Sequence, residues 1–311
     1  MEFFHKPVLL DETISALKIK KSGIYVDGNV GGGGHAKAIA QKLGPTGMLI
    51  GIDRDQEACL AAKEHLANYA ETVCIIHDNY INTRHILADR GIFVIDGMLL
   101  DLGVSSYQLD NTSRGFSYMA DAPLDMRMEI GAGQSAADIV NTYSESDLYR
   151  IIKTYGEERY AKRIAARIVR ERSVAKIETT GRLNGIIAAA MPKQAQHNMG
   201  HPSKRTFQAL RIECNQELEH VKTALHELLT LLKAGGRLAI ISFHSLEDRL
   251  VKQAFQKYEN PCICPKDLPI CGCGQKSQGY IVTKRPIMAS EQELMTNSRA
   301  KSAKLRVFEK I

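Results

Sequence analysis

From Tyr25 the chain reads Tyr25-Val26-Asp27-Gly28-Asn29-Val30-Gly31-Gly32-Gly33-Gly34-His35, then a helix-like stretch, then Gly51-Ile52-Asp53-Arg54-Asp55. An apolar run ends in an acid, a loop made mostly of glycine follows, and a second apolar run ends in another acid. That order is strand, tight loop, helix, strand. Glycine permits positive φ and close approach of backbone to a ligand, and the helix behind the loop offers its first N–H groups. An acid at the end of the next strand, about 20 residues on, suits the two hydroxyls of a ribose. The segment predicts a site for an adenosine-containing cofactor.

The alternation continues down the chain. Short apolar runs predict strands at Ile24–Asp27, Met48–Asp53, Val73–His77 and Val94–Asp101, with helical patterns at His35–Gln41, Gln56–Tyr69 and Ile81–Arg90. Strands apolar along their whole length and separated by helices are buried on both faces, which indicates a doubly wound parallel sheet. The next comparable strand is Arg237–Phe243. A helix with Leu218, Val221, Leu225, Leu228 and Leu232 on one face leads into it and stops at Gly235-Gly236. Roughly a hundred residues part Gly103 from about Arg211, where an ordinary connection takes about 2–6. They carry helical patterns at Ser144–Thr154, Glu157–Arg172 and Thr180–Met191 and no convincing strand. The reading is an α/β domain from residues 1–103 and 212–311, with 104–211 as an inserted all-helical domain.

Two cofactor classes fit the loop. Gly31, Gly33 and Ala36 satisfy G-x-G-x-x-A, the nicotinamide fingerprint, although adjacent glycines satisfy many templates. Asp27 favours the other class. A carboxylate just ahead of the loop crowds a pyrophosphate, yet it suits the ammonium of S-adenosylmethionine; the plainer role is to cap the loop. Asp55 is available to cap the following helix, which leaves Asp53 for a ligand. After Phe243 come a helix (Leu246–Tyr258) and two β-like runs, Tyr280–Thr283 and Lys304–Phe308. A closing antiparallel hairpin of this sort belongs to S-adenosylmethionine-dependent methyltransferases, whereas a dehydrogenase more often continues with parallel units.

Charge and cysteines bear on partners. The net charge of +6 is modest, but Arg159, Lys162, Arg163, Arg167, Arg170 and Arg172 crowd one stretch. Lys204, Arg205 and Arg211 follow, and the tail adds Arg299, Lys301, Lys304, Arg306 and Lys310. Such clustering suits a polyanion, the alternative being a solvated face balanced by Glu157, Glu158 and Glu171. Cys59, Cys74 and Cys214 sit in apolar contexts as core residues. Cys262, Cys264, Cys271 and Cys273 form C-x-C…C-x-C, which could make an all-cysteine zinc site, but the one-residue spacing differs from the usual C-x2–4-C of structural zinc, so a loop of free thiols is favoured and no metal is assigned. Met1–Pro7 has no signal-peptide core, and Leu238–Ile241 is far too short an apolar run to span a bilayer, so a cytoplasmic location without membrane contact is expected.

Several further motifs carry a resemblance. They are Pro7-Val8-Leu9-Leu10-Asp11-Glu12, Asp101-Leu102-Gly103-Val104-Ser105-Ser106, Arg114-Gly115-Phe116-Ser117 and Pro123-Leu124-Asp125-Met126-Arg127-Met128. Gly200-His201-Pro202, Arg205-Thr206-Phe207-Gln208-Ala209-Leu210-Arg211-Ile212, Ser242-Phe243-His244-Ser245-Leu246-Glu247-Asp248-Arg249 and Arg299-Ala300-Lys301-Ser302-Ala303-Lys304-Leu305-Arg306 continue it. With the glycine loop, they resemble the bacterial small-subunit ribosomal RNA methyltransferase H family, also called MraW, from His5 to the C-terminus. Departures are few: Asn29-Val30-Gly31-Gly32 stands where the family often has an aromatic, and Tyr107 replaces a frequent proline.

The resemblance implies a class I S-adenosylmethionine-dependent methyltransferase, Rossmann-like with a helical insertion, that methylates N4 of a cytidine in the decoding region of 16S ribosomal RNA. It carries cofactor binding onto Gly33, Gly34, His35, Asp53, Tyr80, Asp101 and Gln108. Asp101 is the expected catalytic residue, accepting the hydrogens of the target amine, with cofactor binding alone as the equal alternative. Ser105, Ser106, His201, Arg205 and His244 are the expected lining of a pocket for an extruded cytidine. The expected partner is 16S ribosomal RNA within the small ribosomal subunit, and a homodimer is left open. Two rival classes stay in view: a nicotinamide-dependent oxidoreductase, and a non-enzymatic RNA-binding assembly factor with a vestigial cofactor site.

Overall fold

The computed structural model describes residues 7–194, 201–265 and 272–311, with Ser106 and Tyr107 described by backbone alone. Contacts divide the chain into two compact units, Met1–Gly103 with Leu218–Ile311, and Val104–Glu217.

The first unit is built on a seven-stranded sheet. Its strands are β1 (Ile24–Asp27), β2 (Met48–Asp53), β3 (Val73–His77), β4 (Ile95–Asp101), β5 (Leu232–Ser242), β6 (Gly279–Ile281) and β7 (Lys304–Lys310). They lie in the order β3-β2-β1-β4-β5-β7-β6. The first five run parallel, β7 is antiparallel to β5, and β6 pairs antiparallel with β7. The order reverses between β1 and β4, so the crevice beyond their carboxyl ends is the place such sheets offer a ligand. Val26, Ile50, Met98, Leu100 and Ile240 are fully buried, as apolar strands between two helical layers must be.

Several boundaries differ from the sequence pattern. The helix expected over Gln56–Tyr69 ends at His65, and a 3-10 turn takes Ala67–Tyr69. The one expected from Ile81 begins as a 3-10 turn at Tyr80–Asn82. Strand β5 starts at Leu232 rather than Arg237; Gly235 at φ 74° and a register shift opposite Ile95 and Gly97 let it pair early. The helices Leu10–Leu17 and Glu291–Thr296 have no counterpart in the pattern.

The second unit packs helices Ala136–Thr142, Glu145–Thr154, Ala161–Arg172, Thr180–Ala190 and Lys204–Asn215. Three of the five starts carry a side-chain cap: Ser135 forms a capping box with Asp138, and the Ser144 and Thr179 side chains accept from Asp147 N and Arg182 N. Leu148, Ile152, Ile164, Ile168, Leu183, Phe207 and Leu210 form one apolar core. The unit runs to Glu217, past a boundary drawn at Arg211, because Arg211 lies inside an unbroken helix whose Phe207 and Leu210 belong to that core. The helix expected from Glu157 starts at Ala161, since Glu157 adopts φ 48° and the buried Glu158 carboxylate accepts from Tyr160 N at 2.8 Å. Among the described residues no helix is long and apolar enough to cross a membrane.

Candidate active site

Three acids mark the carboxyl ends of neighbouring strands, Asp53 on β2, Asp27 on β1 and Asp101 on β4. The loop after β1 is fixed by its own backbone: Val30 N–H donates to Ile52 O at 2.9 Å and Gly33 N–H to Val30 O at 2.8 Å. Gly33 has φ 83°, which a residue with a side chain rarely adopts. A Cβ on Gly34 would collide with the Pro7 ring, so the chain entering the domain closes against the loop.

Each acid has a distinct set of partners. Asp53, 9% exposed, accepts from Gly31 N through Oδ2 and from Asp55 N through Oδ1, both at 2.9 Å. A carboxylate offers about four lone pairs, so these bonds orient Asp53 and leave acceptor capacity. Asp55 instead caps helix Gln56–His65 through Glu57 N. Asp27 is buried and accepts from Asn29 N at 3.3 Å. Burial pushes its carboxyl up to about 7, against the pull of that N–H and with a further push from Asp53. Asp53 is raised too, by burial, opposed by the Asp55 and Gly31 N–H groups.

Asp101 lies 3.5 Å through Oδ2 from His35 Nδ1. Its Oδ1 is closed off from solvent with no hydrogen-bond partner, as is Asn29 Oδ1. Burial holds its pKa well above the usual carboxylate range, and the charges of Asp27 and Glu247 add to that. His35 is buried and its Nε2 is 3.0 Å from Val8 O. A carbonyl only accepts, so Nε2 carries hydrogen, and Nδ1 faces Asp101 with a lone pair or a second proton. One proton shared between Nδ1 and the carboxyl satisfies both groups.

The remaining expected residues are placed as follows. Tyr80 is 8% exposed, its Cβ close to Gly28, and its ring belongs to the core shared by β1 and β4. Gln108 and Ser105 bind one another: Gln108 Oε1 accepts from Ser105 N at 3.0 Å and Ser105 Oγ from Gln108 N at 3.2 Å. This is a capping box on the short helix Ser106–Asp110, visible in advance as S-x-x-Q. The side chain of Ser106 lies outside the described residues, as do Gly200 and Cys271. His201 is exposed and stacks on Tyr118 with ring centres 4.4 Å apart, while Arg205 donates to Glu157 O at 3.2 Å.

His244, expected on the rim of the substrate pocket, is engaged with its own helix. It is the N-cap of helix Ser245–Glu259, its Nδ1 accepting from Glu247 N at 3.3 Å. Glu247 returns the bond to Phe243 N and His244 N, and its Oε1 lies 3.1 Å from His244 Nε2. Sequence reasoning passed over Glu247, Asn29 and the Pro7–Val8 segment. The His-x-x-Glu spacing after a strand was the one available signal. In the basic tail Lys304 and Arg306 both pair with Asp248, at 3.3 and 2.6 Å, while Lys301 is exposed.

A glycine loop after β1, acids ending β1, β2 and β4, and a parallel sheet closed by an antiparallel β7 define the class I methyltransferase fold. Comparison with known sequences narrows the class. The profile of the MraW methylase family matches residues 2–311. The ribosomal RNA small subunit methyltransferase H 2 of Agathobacter rectalis is 55% identical, over 100% of this chain and 99% of that protein. The ribosomal RNA small subunit methyltransferase H of Lachnospira eligens is 53% identical over 100% and 99%, and that of Clostridioides difficile 52% identical over 100% of both. The chain belongs to the MraW methylase family.

Proposed function

We propose that this protein transfers a methyl group from S-adenosylmethionine to N4 of a cytidine in the decoding region of 16S ribosomal RNA, with the small ribosomal subunit in the cytoplasm as its partner. One observation carries the choice of cofactor: the polar side chains gathered at the carboxyl ends of β1, β2 and β4 are dominated by acceptors. Asp27, Asp53, Asp101 and the Asn29 carbonyl oxygen are buried or half-buried there, and two of their oxygens have no partner. That set fits a ligand presenting an ammonium, ribose hydroxyls and a cationic sulfur. It opposes a pyrophosphate, which weighs against a nicotinamide dinucleotide.

Gly33, Gly34 and His35 would hold the methionine end, Asp53 the ribose and Asp101 the remaining polar groups, with Tyr80 beside the adenine. Bound there, S-adenosylmethionine supplies an electrophilic methyl group on a positively charged sulfur. The exocyclic amine of cytosine is a poor nucleophile because its lone pair is delocalised into the ring. Asp101 answers this by accepting amine hydrogens, which localises the lone pair and aligns it. Such positioning contributes several kcal/mol, of order 10²–10³ in rate, without a strong base. The cationic cofactor would favour the ionised Asp101 carboxylate, which gives the proton lost from the amine a place between Asp101 Oδ2 and His35 Nδ1. The exposed cations of the helical unit supply phosphate contacts, which carry most of the affinity for a polyanion.

The names of the relatives support ribosomal RNA as substrate; the position within it is the finer proposal. Mass mapping of ribosomal RNA nucleosides from cells with and without the protein tests it directly. N4-methylated cytidine should vanish from the decoding region when the protein is absent. Labelled methyl incorporation should favour assembled small subunits over naked RNA. Binding of NAD with no incorporation from S-adenosylmethionine would overturn the assignment.

A further inference from the structure

The loop between helix Ser245–Glu259 and β6 takes no part in the site above, yet it gathers thiols. Its base is tied by Gln278 N–H to Tyr258 O at 2.9 Å and by Ile281 N–H to the Glu259 carboxylate at 2.8 Å. Within it the sulfur atoms of Cys262, Cys264 and Cys273 all lie within 4.8 Å of one another. Cys262 and Cys273 come to 3.8 Å. A disulfide needs about 2.05 Å between sulfurs. A tetrahedral zinc with Zn–S of about 2.3 Å places its sulfurs ~3.8 Å apart. The spacing is that of co-ligands. The C-x-C pattern, which in sequence argues against zinc because one intervening residue makes closure hard, is overcome by the fold: Cys262 and Cys264 turn their sulfurs to the same point, and the chain returns to bring Cys273 beside them.

We propose that Cys262, Cys264 and Cys273 bind a zinc ion as thiolates, leaving the fourth tetrahedral position to water or one further thiolate. Soft sulfur donors select zinc over magnesium, calcium or manganese. Each ligating thiol gives up its proton to solvent as its S–Zn bond forms, with no change of oxidation state, so affinity falls as pH falls. The role is structural. The loop leads into β6, the outer strand of the sheet, which is separated from β1 by β7, β5 and β4. An ion that binds the closed loop and not the unfolded chain adds its binding free energy to folding and secures the edge strand.

The test uses the full chain purified under reducing conditions. Metal content by plasma mass spectrometry should give about one zinc per chain, as a folding-coupled thiolate site retains. Cobalt exchanged for zinc should show an intense thiolate-to-cobalt charge-transfer band that disappears on acidification. Cys262→Ser and Cys273→Ser should each lose the band and most of the zinc, whereas Cys74→Ser, on β3, keeps both. Should either variant fail to fold, competition of the intact protein against a chromophoric chelator decides the matter, the expected result being stoichiometric retention. Three outcomes overturn the proposal. They are metal-free protein that takes up neither zinc nor cobalt, zinc content unaffected in both cluster variants, and a Cys262–Cys273 disulfide forming as readily with zinc present as without.

Discussion

The two units carry opposite charges in opposite ways. In the sheet unit the decisive groups are acids, buried at the ends of β1 and β2 and half-buried at the end of β4. In the helical unit they are bases held outward: Arg159, Lys162, Arg163, Arg170 and Lys204 are all exposed. Buried acids are costly unless something meets their charge, and here partnerless oxygens remain. Exposed bases cost little and act through number and placement. On the proposed function the sheet unit would take a small cationic ligand and the helical unit an extended anionic one. Substitutions should therefore separate the two functions.

Asp101 carries the largest expected effect. Asp101→Asn keeps the shape and removes the charge that localises the amine lone pair, so methyl transfer should fall by about 10²–10³. Ribosomal RNA affinity should be unchanged. Single-turnover transfer of labelled methyl, with RNA binding measured separately, checks both. Full turnover with full cofactor affinity in this variant would break the assignment of Asp101.

The helical unit provides the converse. Reversing Lys162 and Arg163 to glutamate should weaken RNA binding by about tenfold to a hundredfold at physiological salt. The slope of log affinity against log salt should become shallower by about 0.7–0.9 for each phosphate the protein no longer neutralises. Cofactor affinity should not move. An equally weakened Arg211→Glu would blur the comparison, because Arg211 already makes a two-pronged pair with Glu217 at 2.8 Å.

These contrasts explain how much could be read in advance. Strands β1 to β4 and their terminal acids were legible because apolar runs, glycines and acids are local signals, and a parallel sheet then aligns the strand ends. The basic run Arg159–Arg172 was legible as composition, but not which of its members stand ready for a partner. Arg172 donates to Val140 O and Arg167 pairs with Glu171, the first of these set by tertiary packing. The Ser105–Gln108 and His244–Glu247 capping boxes were written in the sequence and passed over in favour of functional roles. The cysteines were legible as a C-x-C…C-x-C run, but not the convergence of Cys262 and Cys273, which the fold of the loop sets.

A smaller effect concerns pH. Asp27 titrates at about 7 in the folded chain against about 3.8 unfolded, so between these values the folded state holds the extra proton. Stability of the ligand-free protein should decline as pH rises through that window and level off above it. The groups facing Asp27 are Asp53 and Asp101, with His35 beside Asp101 and Arg54 near Asp53. A cationic ligand favours the ionised carboxyl and offsets the loss. The thermal shift given by S-adenosylmethionine should accordingly grow between about pH 5.5 and about pH 8. The shift given by S-adenosylhomocysteine, which lacks the sulfonium charge, should change less. Parallel pH trends for the two ligands would show that no acid in the crevice senses the sulfur's charge.

The smallest effect sharpens the line between holding the fold and touching the substrate. His244 spends Nδ1 on Glu247 N and keeps Nε2 beside the same carboxylate, so its ring serves the start of helix Ser245–Glu259. Asparagine is a good N-cap and alanine a poor one. His244→Ala should therefore cost about 1 kcal/mol, a fall of roughly 2–4 °C in Tm for a domain of this size. His244→Asn should hold Tm within about a degree and methyl transfer within about twofold. The pair of variants separates the roles, because a cap is restored by asparagine and an imidazole contact with the base is not. Preserved stability with transfer down more than about tenfold in His244→Asn would return His244 to the substrate, a loss of more than about 1.4 kcal/mol in the transition state with none in folding.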